Sequence, residues 1–110
     1  MPRYEIPVWE MCAQALEILG GHENYVPLKS IINKIHELWP KEHVNDDTIR
    51  CQILRHCINC HPSHDDFPDK GKMWRQRKLF ISDKQGNYRF YREKTDYNKY
   101  SEALKEDEES

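Results

Sequence analysis

The chain has 110 residues, of which 37% are hydrophobic and 33% charged, with a formal net charge of −2. That length supports one domain with a small core. No apolar run approaches the roughly 18 residues of a membrane span, and the N-terminus lacks the charged and apolar regions of a secretory signal, so a cytoplasmic protein without membrane contact is expected.

In chain order, Pro7 suits the first turn of a helix running from Val8 to Leu19, with Val8, Cys12, Ala15, Leu16 and Leu19 forming its apolar stripe. Gly20-Gly21 ends it, because glycine accepts the left-handed cap without steric cost. Tyr25-Val26-Pro27 reads as a short extended piece. A second helix follows from Leu28 to Leu38, with Leu28, Ile31, Ile32, Ile35 and Leu38 on one face and Trp39-Pro40 closing it.

The third helix is the most informative stretch. Asn45 or Asp46 caps it, two early acids suit its positive end, and the pattern carries it over 46–60 to a stop at His61-Pro62. At 100° per residue, Ile49, Ile53, Cys57 and Cys60 share one flank, widened by Leu54 and Ile58. Thr48, Gln52, Arg55, His56 and Asn59 gather on a polar stripe of donors and acceptors suited to base edges and phosphates.

Ser63 to Met73 reads as a long irregular loop. Lys78–Ser82 and Asn87–Tyr91 then form two strands joined by Asp83-Lys84-Gln85-Gly86, with one face able to pack while the other carries charge. The resulting domain covers residues 1–95. Residues 96–110 read as an acidic, solvated tail, able to fold over the basic hairpin and compete with a polyanion, with Tyr97 and Tyr100 able to tack a final half-helix onto the domain.

Charge is distributed unevenly. Residues 70–92 hold eight Lys and Arg against Asp83 alone, whereas the flanking segments are both acidic. A polyanion responds to this local patch more than to the total, because charges beyond about 8 Å are largely screened at physiological salt. The order helix, short strand, helix, helix, strand, turn, strand is that of an α+β winged helix-turn-helix, with three helices and a C-terminal β-hairpin wing.

Two blocks carry a family resemblance. Ala15-Leu16-Glu17-Ile18-Leu19-Gly20 with Val26-Pro27-Leu28-Lys29-Ser30-Ile31 resembles the opening of winged helices that accompany bacterial restriction endonucleases. Thr48-Ile49-Arg50, Cys57-Ile58-Asn59-Cys60-His61-Pro62-Ser63 and Gly86-Asn87-Tyr88-Arg89-Phe90-Tyr91 resemble small bacterial domains of that kind. The resemblance spans roughly residues 7–92. It implies DNA binding in defence against foreign DNA, with sensing of modified bases and a nuclease or other defence protein as partner.

The residues expected to contact double-stranded DNA are therefore Thr48, Arg50, Gln52, Arg55, His56 and Asn59 on the helix. Lys72, Trp74, Arg75, Arg77, Lys78, Lys84 and Arg89 join them from the basic segment. Trp74 sits beside three cations and could stack on an exposed base or plug the core. A winged-helix transcription regulator, binding as a homodimer, and a winged-helix protein–protein adaptor are the alternative functions.

Cys57, Cys60, His61 and His64 have the chemistry of zinc ligands, and Cys57-Ile58-Asn59-Cys60-His61 has the spacing of haem attachment. Haem attachment needs export, the two cysteines fit the apolar arc as small hydrophobes, and stable disulfides do not suit a reducing compartment. No metal or other cofactor is expected. Cys12, His22 and Ser30 have no partner at a spacing that predicts contact, so no catalytic role is expected.

Overall fold

The computed structural model describes residues 6–60, 79–98, 101 and 102. Its elements are α1 (Val8–Ile18), β1 (Val26–Pro27), α2 (Leu28–Leu38), α3 (Asp46–Arg55), β2 (Phe80–Ser82) and β3 (Asn87–Phe90). A further helical segment, α4, covers 93–98. The chain is an α+β domain in which helices pack on a three-stranded antiparallel sheet of order β1-β3-β2.

α1 buries Val8, Met11, Cys12, Ala15 and Leu16, the i, i+3, i+4 spacing that places side chains on one face. Its end is a Schellman turn: Gly20 N–H donates to the Glu17 carbonyl (3.1 Å) and Gly21 N–H to the Leu16 carbonyl (2.8 Å). Gly20 has φ of +82°, which a side chain would oppose. Gly21 is needed for space instead, because a Cβ there would come within 3.0 Å of Leu16 Cγ, Cδ1 and O. Gly21→Ala is expected to destabilise by about 1–3 kcal/mol, as overpacking does, measured by urea unfolding.

Pro27 ends β1 and leads directly into α2. Its lack of a donor is tolerated at a sheet edge, and the next amide, Leu28 N–H, donates to the Gly86 carbonyl (3.0 Å). α2 buries Ile31 and Ile35, with Leu28 and Ile32 packed against the core. Leu38, expected on that face, is 39% exposed; the chain instead turns Trp39 back onto the core.

α3 packs through Ile49 and Ile53, both essentially inaccessible. Asn45 caps it, its Oδ1 accepting from Asp47 N–H (2.7 Å) and Thr48 N–H (3.4 Å). The expectation of a helix running to residue 60 is corrected: α3 ends at Arg55. Strand β2 competes for the backbone groups that helix continuation would use. The His56 carbonyl accepts from Leu79 and Phe80 N–H, and Ile58 N–H donates to the Phe80 carbonyl at 2.8 Å. Residues 56–59 thereby line the open edge of β2, with a parallel bridge between Cys57 and Phe80.

Phe80, at the start of β2, joins the main core with the helices. Ile81 and Ile58 form a second cluster, against which Tyr25 and Tyr91 pack. No residue of β2 is exposed, so this strand does not alternate between core and solvent as the sequence suggested. Among the described residues, no helix is long and apolar enough to cross a membrane.

Candidate nucleic-acid interface

The polar side of α3 is the first half of the expected interface. Arg50 is exposed, and Thr48, Gln52 and Arg55 are partly so, with Arg50 on one flank of the buried Ile49–Ile53 edge and the other three on the far flank. Arg50 Nε lies 4.0 Å from Asp47 Oδ1, a surface pair that contributes little. Asp46 of the first turn meets His36 of α2, Nε2 to Oδ1 at 2.6 Å, and so ties the start of α3 to the preceding helix. This arrangement presents two arginines, an amide and a hydroxyl along one short helix, a donor and acceptor set able to engage base edges or phosphates.

His56 and Asn59, expected on the same stripe, are corrected. Both are buried, at 2% and 8% exposure, because the helix stops before it can carry them outward. His56 meets the Trp9 ring edge-on, with centroids 6.1 Å apart. Asn59 acts as a two-way backbone clamp on Ser82: its Nδ2 donates to the Ser82 carbonyl and its Oδ1 accepts from Ser82 N–H, each at 2.8 Å.

Arg89 is corrected as well. Its guanidinium grips the Asp96 carboxylate at 2.6 and 2.7 Å and lies 4.9 Å from the centroid of the Tyr25 ring. The hydrogen bond to Asp96 raises its pKa further, against the opposing effect of burial. Asp96 also accepts from Arg92 N–H at 2.8 Å and is only 2% exposed, so this first residue of the expected tail packs into the domain. The face of β3 expected to carry charge toward DNA is covered by α4 and by residues preceding β1.

The other described cations of the basic segment are also engaged. Lys84 Nζ donates to the Asn59 carbonyl, and Arg92 donates through Nε (2.9 Å) and Nη2 to the His22 carbonyl. Lys84 itself is exposed, at φ of +68° in the β2–β3 turn. Asp83 braces that turn by accepting from Gln85 N–H, Asn87 N–H and Asn87 Nδ2. The Asn87 side chain, followed by the opposing effect of desolvation and then these amides, leaves the Asp83 carboxyl below its ordinary range. Lys72, Trp74, Arg75, Arg77 and Lys78 lie outside the described residues, as do His61 and His64.

Cys57 and Cys60, weighed as metal ligands, lie side by side in the turn after α3, with sulfurs 2.7 Å apart. Among the described residues, no group of three or more His, Cys, Asp or Glu is placed to hold a metal ion. Cys12 is packed under α3, and burial, only partly offset by backbone hydrogen bonding, pushes its thiol up to about 12. It therefore remains protonated and poorly nucleophilic at neutral pH.

The fold and this helix face define an α+β domain with one half-buried, polar-faced helix beside a small sheet. The chain matches the profile of a family described as a domain of unknown function, DUF7669, over residues 7–90, and it belongs to that family. Comparison with curated proteins and with solved structures gives no significant match.

Proposed function

We propose that this domain is a winged helix-turn-helix that binds double-stranded DNA, with α3 as the reading helix. The observation that carries the reading is the placement of α3. It is fixed to the core by Ile49 and Ile53 and to α2 through Asp46, while Thr48, Arg50, Gln52 and Arg55 retain access to solvent. The sheet order β1-β3-β2, in which a short strand between the first two helices pairs with a C-terminal hairpin, supports the same architecture. Phosphate contacts then fall to Arg50 and to the basic residues of 70–78. The restriction and defence setting, and the sensing of a modified base, rest on the sequence resemblance.

Fluorescence anisotropy of labelled duplexes, unmodified and methylated, tests this at several salt concentrations. The affinity is expected to fall with salt, with a log–log slope of about −0.9 per phosphate neutralised. Arg55→Ala is expected to weaken specific binding by about tenfold, within the 1–3 kcal/mol of a good base contact. Arg75→Glu/Arg77→Glu is expected to weaken binding to all sequences alike. A preference for the methylated duplex supports modified-base sensing; equal affinity removes it. Absence of binding at low salt overturns the DNA reading in favour of a protein–protein adaptor.

A further inference from the structure

The turn that follows α3 holds two cysteines that the DNA reading does not use. Cys57 is inaccessible, Cys60 is 9% exposed, and their sulfurs are 2.7 Å apart. Neither is in a disulfide. Their positions are fixed by the backbone between them: the Asn59 amide is clamped to Ser82 N–H and C=O, and the Asn59 carbonyl takes the Lys84 ammonium. Cys57 Sγ also donates to Asn59 Oδ1, 3.2 Å away. A disulfide needs a sulfur separation of about 2.05 Å, less than 1 Å closer than the present contact.

The two thiols are unequal. Burial, followed by the hydrogen bond and charge of Cys60, holds Cys57 well above the ordinary thiol range. The hydrogen bond between the two sulfurs, opposed by burial and reinforced by the Lys84 ammonium, lowers Cys60. The thiolate is the attacking form, and a nearby cation favours it. The other two cysteines differ: Cys12 is buried with its thiol directed to the Ile49 carbonyl, and Cys51 is partly exposed on α3.

We propose that Cys57 and Cys60 form a reversible dithiol–disulfide site, with Cys60 as the attacking thiol, Cys57 as the resolving thiol and a low-molecular-weight disulfide as the oxidant. The Cys60 thiolate attacks one sulfur of the oxidant, whose S–S bond breaks and releases one thiolate, which takes up a proton. Cys57 then gives up its proton and attacks Cys60 in the mixed disulfide, expelling the second small thiol. Two protein thiols are oxidised, one external disulfide is reduced to two thiols, and the excess of an external thiol reverses both steps. The site is independent of DNA binding.

The test treats the native chain with oxidised glutathione, blocks remaining thiols with iodoacetamide and weighs tryptic peptides. Cleavage after Arg55 and Lys70 places Cys57 and Cys60 in one peptide, with Cys51 in another. The expected product is peptide 56–70 lacking two hydrogens, unalkylated, and restored to the dithiol by dithiothreitol. In Cys57→Ser, glutathione on Cys60 is expected to persist at least about tenfold longer than in the unaltered chain, because the resolving step is gone. In Cys60→Ser, Cys57 is expected to stay unmodified. Recovery of two alkylated thiols in peptide 56–70 of the unaltered chain, while Cys51 takes up glutathione, overturns the proposal. So does a mixed disulfide on Cys60 that the unaltered chain leaves unresolved.

Discussion

Arg89→Ala is expected to lower the unfolding free energy by about 3–5 kcal/mol, the range for removing one partner of a buried ion pair. The loss comes from what remains: the Asp96 carboxylate, 2% exposed, would keep its charge in a site with the guanidinium gone. Asp96→Ala is expected to be similarly severe, since it strands the guanidinium beside Tyr25 and removes the acceptor of Arg92 N–H. Replacing both partners with apolar residues of similar volume, Arg89→Met with Asp96→Leu, should recover most of the loss. Urea unfolding of the two single variants and the double variant measures this. Equal, additive losses in the double variant would show that the pair is not energetically coupled. If Arg89 instead met DNA, Arg89→Ala would weaken duplex binding while leaving stability intact.

The second large effect is expected at Asn59. Asn59→Ala removes both hydrogen bonds to Ser82 and leaves a buried N–H and C=O without their partner, at about 1–3 kcal/mol for each group. Asn59→Asp separates the two contacts. An ionised carboxylate accepts from Ser82 N–H but faces the Ser82 carbonyl without a proton to donate, whereas a protonated carboxyl can serve both groups. The introduced acid would therefore have a folded-state pKa raised above its unfolded value. Its contribution is fully present below the unfolded pKa and is lost as pH rises through the folded one. Asn59→Asp should thus come closest to the unaltered chain in mild acid and diverge toward neutrality, in urea midpoints measured across pH. A constant difference at every pH would rule out this account of the clamp.

The helices of the fold were legible because their signals are local. The spacing of Val8, Cys12, Ala15 and Leu16, the glycine stop at Gly20, and the Asn45 cap depend only on neighbours in sequence. The reading failed where distant backbone intervened. Residues 56–60 continue the helical pattern of α3, yet the amides of Leu79 and Phe80 draw the His56 carbonyl into a strand-like arrangement. That single change removes His56 and Asn59 from the polar face. Arg89 misled for a related reason: alternation along β3 places it opposite Tyr88 and Phe90, but period two does not reveal what covers the second face. Asp96, seven residues on, does so through a helix that forms beyond the hairpin. Thr48, Gln52 and Arg55 were legible as a group because they lie within three turns of one continuous helix.

The bond between Leu79 N–H and the His56 carbonyl bears on how the gene product can vary in length. It brings the end of α3 and the start of β2, which flank residues 61–78 in sequence, next to each other. The entropy of closing such a stretch rises only logarithmically, by about 0.6 kcal/mol for each doubling of its length. The junction is therefore a natural insertion point: sequence can be lengthened, shortened or exchanged there while the Asn59 clamp and the β2 edge keep the two anchors in register. Versions of this domain could differ in that one stretch while keeping the packed helices and the sheet as a constant chassis.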